Sequence, residues 1–312
     1  MKTKWNHSGR CASSYRRPPG SVLLRPLISF SLLLTLSPAC LISSCAREVS
    51  PVEIEDVTVK VDSCLFEICF NVLNNISDSA LLVKQLDIFI YDADGMQGLE
   101  SWNSFDGLPD TVRVTGAKRA KTVVAVANSP RSFNRKAIER YDSIELLSYD
   151  FGEDSPENPI MGGICSLGHE RPGTVTLEPL LTKVVLCEVS NLMKGYMRLE
   201  DPRIYLENIN ESAEVLRKSG FRASEGGING KTYKLPYDIG VFPQNLNIEL
   251  LCYPNDSAEA TMGTPRTSLV LECEINGETC RFPVELPELG RNRRLKVDIS
   301  VSGPNVFESK VY

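Results

Sequence analysis

Histidine is nearly missing: two stand in 312 residues, and only His169, in the loop "SLGHERPG", lies beyond residue 44. With no G-x-S-x-G nucleophile elbow beside it, a Ser–His–Asp device lacks its parts, and a lone loop histidine reads as solvated. No C-x-x-C pair occurs, so the ligand spacing of a zinc site is absent. Nor is there a G-x-x-x-x-G-K-[ST] loop to cradle a phosphate. "DADG" (92–95) has the opening of a calcium loop, but the twelfth position, which should be acidic, is Asn103. A β-turn with Gly95 at positive φ accounts for that stretch. Carboxylates are plentiful, yet none stands out as half of a catalytic pair. The chain is read as a non-enzyme with no cofactor and no metal site.

Long apolar runs are also lacking. A spanning helix needs about 20 largely apolar residues, whereas the run 27–42 is broken by Ser29, Ser31, Ser37 and Pro38. Six basic residues and no acid occupy positions 1–44, followed by Ile42-Ser43-Ser44-Cys45. A basic start, a short apolar stretch and small residues before a cut describe a secretory signal. The order resembles the bacterial lipoprotein signal, in which cleavage precedes a cysteine carrying diacylglycerol; Cys40, preceded by Ser37 and Pro38, fits less well. Residues 1–44 are therefore the expected leader, and Cys45 the expected lipid site. Without the leader, 28 bases face 40 acids, and the net charge moves from −6 to −12. That balance excludes a nucleic-acid binder, which needs a basic face. The clusters Lys118/Arg119/Lys121 and Arg291/Arg293/Arg294 sit beside predicted strands and read as solvated turns.

Cysteine is the exception to this scarcity, at ten residues. Setting aside Cys11, Cys40 and Cys45 leaves seven, so one at least stays unpaired or pairs between chains. Cys187 and Cys252 lie in apolar runs and read as small buried hydrophobes. "ECEINGETC" reads as a hairpin with Asn276-Gly277 at its turn, which sets Cys273 opposite Cys280 in a hydrogen-bonded pair. A somewhat strained bridge is open to these two. Cys64 and Cys69 are an odd number apart, point to opposite faces of one strand, and should not bond each other.

Short β-branched, aromatic or alternating segments fill the rest: 57–61, 65–73, 81–95, 121–128, 174–180, 183–190, 203–210, 247–254, 268–275, 278–286 and 294–301. "RSFNRKAIERYDSIELLSY" (131–149) is the best helical candidate. The tail "PNVFESKVY" alternates, consistent with a short strand or with a frayed end. Many short strands and little helix predict an all-β fold of two tandem β-sandwich domains, 45–181 and 182–312, meeting at Leu180-Leu181-Thr182.

Four stretches in order, "LDIFIYDADGMQG", "GAKRAKTVVAVANSP", "TVTLEPLLTKVVLCEVS" and "GRNRRLKVDISVSGPN", resemble the FimB/Mfa2-type fimbrillin family of Bacteroidales fimbrial lipoprotein subunits. The resemblance spans most of residues 50–303. Lys121 stands where the family has an aromatic, and Arg294-Leu295 where it has a tyrosine. It implies two transthyretin-like sandwiches and a pilus subunit, either the anchor or a minor component, held to the outer membrane by lipid. Its partners would be other fimbrial subunits joined by strand exchange, with a host or bacterial surface ligand as a further candidate. The first strand, 57–63, would be retained or released, and the tail after Gly303 is a candidate donor strand. It also implies candidate O-glycan acceptors in Asp-Ser/Thr-apolar triplets: Ser79, Thr111, Ser143 and Ser257. The alternative, a surface glycan-binding lipoprotein, would use Trp102 with Phe105, though core packing accounts for those two as well.

Overall fold

A computed structural model of the chain describes residues 63–168, 171–223, 228–257 and 264–312, within the compact unit Thr58–Tyr312. The leader, Cys45, the segment 57–62 and His169 lie outside the described residues.

The first part of the chain gives β1 (Ser63–Val72), β2 (Gln85–Asp92), β3 (Leu99–Asp106), β4 (Thr111–Ala117) and β5 (Lys121–Ala127). After α1 (Tyr141–Glu145) come β6 (Ser148–Asp150), β7 (Met161–Leu167) and β8 (Gly173–Pro179). Seven of these strands form one sheet in the order β3-β2-β5-β7-β8-β1-β4. The β7–β8 pairing is confined to Met161↔Pro179 and Gly162↔Glu178, so the sheet folds over there. A core of Phe66, Ile68, Leu86, Ile88, Val123, Ala125, Met161 and Val175 fills the fold. The alternate residues of β2 and β5 (Phe89, Tyr91, Val124, Val126) are buried too, in a second cluster with Ile144, Tyr149 and Ile160. Burial on both faces is why "LDIFIY" and "TVVAVA" read as nearly continuous apolar runs.

The chain then gives β9 (Thr182–Asn191), β10 (Glu200–Glu207), β11 (Ser212–Glu214), β12 (Tyr233–Lys234) and β13 (Gln244–Cys252). It ends with β14 (Ser268–Ile275), β15 (Glu278–Glu285), β16 (Arg294–Gly303) and β17 (Val306–Val311). Two four-stranded sheets, β13-β9-β16-β17 and β12-β10-β14-β15, enclose a core that includes Val184, Leu186, Ile204, Leu271, Phe282 and Val297. The fold is all-β, as expected, and the sheets change between Pro179 and Thr182.

The helical candidate yields only a 3-10 turn, Arg135–Ile138, and the five-residue α1. Its apolar residues are too loosely spaced to form a continuous stripe, and the chain passes from α1 into β6 as a strand. β6 pairs with β11, so a piece of the second half lies over the first. Ala213, Val215 and Phe221 join the cluster over β2 and β5. Behind this strap the sheet has no side chain at Gly162: a Cβ there would stand 2.5 Å from the Val215 carbonyl oxygen.

Candidate functional site

Among the described residues the strand edges are what the fold offers, and their protection differs. β15 faces outward through Thr279, Arg281, Pro283 and Glu285, and Pro283 has no N–H to give a neighbouring strand. β13 is kinked by a register shift between Asn245 and Ile248, with Asn247 at φ 49°. β12 is two residues long. These are the usual defences against edge-to-edge pairing. β17 has neither proline nor an internal bulge beyond its first pair, and its outer edge is unpaired among the described residues.

β17 is lightly held. It runs antiparallel to β16 from Gly303↔Val306 to Val297↔Val311, and Lys296 and Tyr312 exchange backbone bonds of 2.9 and 3.0 Å. Only Phe307 and Val311 turn toward the core, both half-buried. The Phe307 ring meets Phe282 edge-on at 5.6 Å. Partial burial of these two side chains contributes on the order of 2–3 kcal/mol. Val306, Glu308, Ser309, Lys310 and Tyr312 are exposed. The alternation legible in the tail is thus that of an edge strand.

An opening lies at the other end of the chain. β1 pairs with β4 along Ser63–Cys69, but its parallel pairing with β8 starts only at Ile68↔Gly173. Among the described residues, the stretch Ser63–Glu67 therefore has a partner on one side alone. Phe66 is buried there and Leu65 exposed. Cys64 shares the core-facing parity of Phe66 and Ile68, while Cys69 points the other way, its Sγ 3.8 Å from Thr111 Oγ1.

The other residues singled out in the sequence take varied places. Cys273 and Cys280 are directly opposite in the β14–β15 hairpin, both buried and both free thiols. Cys252 is fully buried, and burial pushes its thiol up to about 12. Ser79, Thr111 and Ser143 are exposed, whereas Ser257 is buried, its Oγ enclosed, so a folded chain offers no room for a glycan there. "DADG" is a turn, with Asp92 Oδ1 accepting from the Asp94 N–H at 3.3 Å and Gly95 at φ 66°. Trp102 is no exposed platform: its Nε1 donates to Asp87 at 3.1 Å and its ring packs against Phe89 and Phe133. Phe105 packs against the first core.

Both basic clusters match the expected solvated turns only in part: Lys118, Arg119 and Arg293 are exposed, whereas their neighbours are not. Lys121 is buried, with its ammonium between Glu100 and Asp92. Arg291 is buried as well and donates to four carbonyls, those of Glu178, Pro179, Val215 and Arg217. Burial pushes its guanidinium down to about 10 despite the Glu178 carboxylate 3.7 Å away. Asn292 next to it accepts from the Asn75 N–H and donates to the Leu73 carbonyl. Arg294 pairs with Asp78 at 2.6 Å. This run is a joint between the two halves. The sequence signal was available only in its place, immediately before β16, because charge alone does not distinguish a joint from a turn.

No family model matches the chain, and no curated protein matches it. Solved structures do. A candidate cell adhesion protein from Bacteroides eggerthii aligns over 80% of this chain and 95% of its own, with TM-score 0.59 and 12% identity. A fimbrilin (FimA) from Porphyromonas gingivalis aligns over 77% and 91%, with TM-score 0.55 and 12% identity. The tip fimbrial protein Mfa3 of the same species, with a C-terminal truncation, aligns over 80% and 98%, with TM-score 0.50 and 13% identity. The chain has the fold of these proteins.

Proposed function

We propose that this chain is a fimbrial subunit of the FimB/Mfa2-type fimbrillin family, the anchor or a minor component, tethered to the outer membrane by lipid on Cys45 after loss of residues 1–44. It joins other fimbrial subunits by β-strand exchange and carries out no catalysis. The observation that carries this reading is the C-terminal strand: a lightly held edge strand without proline or internal bulge, on a body with the fold of fimbrial proteins. Exchange of this kind uses main-chain hydrogen bonds, with alternate side chains filling pockets. β17 supplies Phe307 and Val311 at the required period of two. The opening beside Ser63–Glu67 is the corresponding acceptor position, adjoining the segment 57–62. Division into domains 45–181 and 182–312 belongs to the same reading, with the strap at β11 crossing between them. Ser79, Thr111 and Ser143 remain the glycan acceptors.

Two measurements test this. The intact mass of membrane-extracted protein should correspond to a chain beginning at residue 45 with added acyl groups, and Cys45→Ala should abolish the addition. Retention of residues 1–44 would overturn the tether. Deleting residues 306–312 should remove SDS-resistant oligomers, while oligomers that persist would exclude β17 as the donated strand.

A further inference from the structure

We propose that Cys273 and Cys280 close into a disulfide as the β14–β15 hairpin forms, and that this bridge sets how firmly the C-terminal strand is held. The bridge needs the hairpin and an oxidising compartment, and the second rests on the proposed export of the chain; its meaning for assembly rests on the reading of β17 as the donated strand.

The turn fixes the geometry. Asn276 at φ 55° and Gly277 at φ 80° make a two-residue turn with both central residues left-handed, and the register runs without a shift from Ile275↔Glu278 to Ser268↔Glu285. Cys273 and Cys280 are therefore directly opposite. As a hydrogen-bonded pair their Cα atoms are set roughly 5.5 Å apart, inside the roughly 4.4–6.8 Å that disulfides span, while the wider spacing of their side chains makes the bridge a strained one. Both side chains point inward, 2% and 3% exposed, on the face that carries Leu271 and Phe282.

Folding order supplies the opportunity. A hairpin with a favourable turn forms from local residues in about 1–10 μs; disulfide formation takes seconds or longer, so the bridge closes in chains whose β9 and β16 have not yet covered the hairpin's inner face. In that open hairpin both thiols are within reach of a disulfide oxidant, protein or small molecule, of an oxidising compartment. One cysteine thiolate attacks the oxidant, forming a mixed disulfide and releasing one of the oxidant's sulfurs as a thiolate. The second cysteine then attacks the first cysteine's sulfur and expels the other oxidant sulfur. Two electrons pass to the oxidant and the two cysteine protons go to solvent. Packing then closes the site, and burial pushes the Cys273 thiol up to about 12, leaving little thiolate for a later reaction.

The consequence reaches the tail through one contact. Phe282 lies two residues beyond Cys280 on the same face and is the ring that Phe307 packs against. A bridge that pins β15 to β14 at this level fixes the surface on which β17 rests.

The experiment refolds full-length protein from denaturant in two ways, with oxidised glutathione present throughout or added only after reduced refolding. Each sample is then unfolded with iodoacetamide and digested with trypsin; Cys273 and Cys280 share one tryptic peptide, 267–281. In the first sample this peptide should carry no alkyl group and be lighter by its two thiol hydrogens; in the second it should be doubly alkylated. Double alkylation in both samples overturns the bridge. Hydrogen exchange over Val306–Val311 should be about tenfold slower in the bridged sample, the order of effect that a stabilising cross-link gives. Equal exchange in the two samples overturns the effect on the tail. Oligomers that survive deletion of 306–312 would refute strand donation while leaving the peptide result untouched, so the two failures are distinguishable.

Discussion

Asp154 shows how much one buried carboxyl can shift the balance. Its Oδ1 accepts from the N–H groups of Ser155 at 2.8 Å and Ile160 at 2.9 Å, and the buried carboxyl lies against the Tyr253 hydroxyl. Burial outweighs those bonds and pushes the group up to about 6 from 3.8. Between these values the folded chain holds a proton that the unfolded chain has released. Stability from this group is therefore full below about pH 4 and lost as pH rises through 6, by about 3 kcal/mol. Asp154→Asn keeps the acceptor and removes the charge, so urea unfolding should find it more stable than wild type by about 3 kcal/mol at pH 7.5, with the difference vanishing near pH 4. Arg291 works in the opposite sense. Arg291→Met strands four carbonyls and the Glu178 carboxylate, and should cost about 3–5 kcal/mol in the same assay. Neither role is legible in the sequence. "GEDSPENP" looks like an exposed loop and "RNRR" a charged turn, because burial of a polar side chain is decided by elements far away in the chain.

Strands are legible where burial imposes a pattern. The segments predicted at 121–128, 174–180, 183–190, 268–275 and 294–301 match β5, β8, β9, β14 and β16 within a few residues. β3 and β4, which the pattern does not reveal, lie at the two edges of their sheet, where many positions are polar or half-exposed and the apolar period fades. β7 escapes because "MGGICSL" places glycines where a strand usually has side chains, and only the structure shows what those glycines admit. A methyl group on Gly162 would press on the Val215 carbonyl, so Gly162→Ala should lift the strap and cost about 1–3 kcal/mol. Faster hydrogen exchange at Ala213–Val215 is the expected sign. For the tail, Phe307→Ala removes its one aromatic anchor. Exchange over β17 should rise by about one to two orders of magnitude while β9 and β16 keep their protection. Equal loosening of all three strands would mean that β17 does not open separately.

The whole described body is laced across its middle. β11 pairs with β6, Arg291 and Asn292 bond back to residues 73–75 and 178–217, and Arg294 meets Asp78. Sheets tied at this many points should melt together. Calorimetry is expected to give one transition whose van't Hoff and calorimetric enthalpies agree, and two resolved peaks would contradict this. Against that unity the tail stands apart in direction. β17 turns back at Pro304-Asn305, with Asn305 at φ 60°, and brings Tyr312 home beside Lys296, at the start of β16. Peeling it away leaves the turn as a pivot. The free arm, Val306–Tyr312, then spans up to roughly 23 Å, and it swings from the end of β16 farthest from the joint. Assembly through this arm would have a built-in polarity: each subunit would reach outward from its second half, toward a neighbour lying beyond that end of β16.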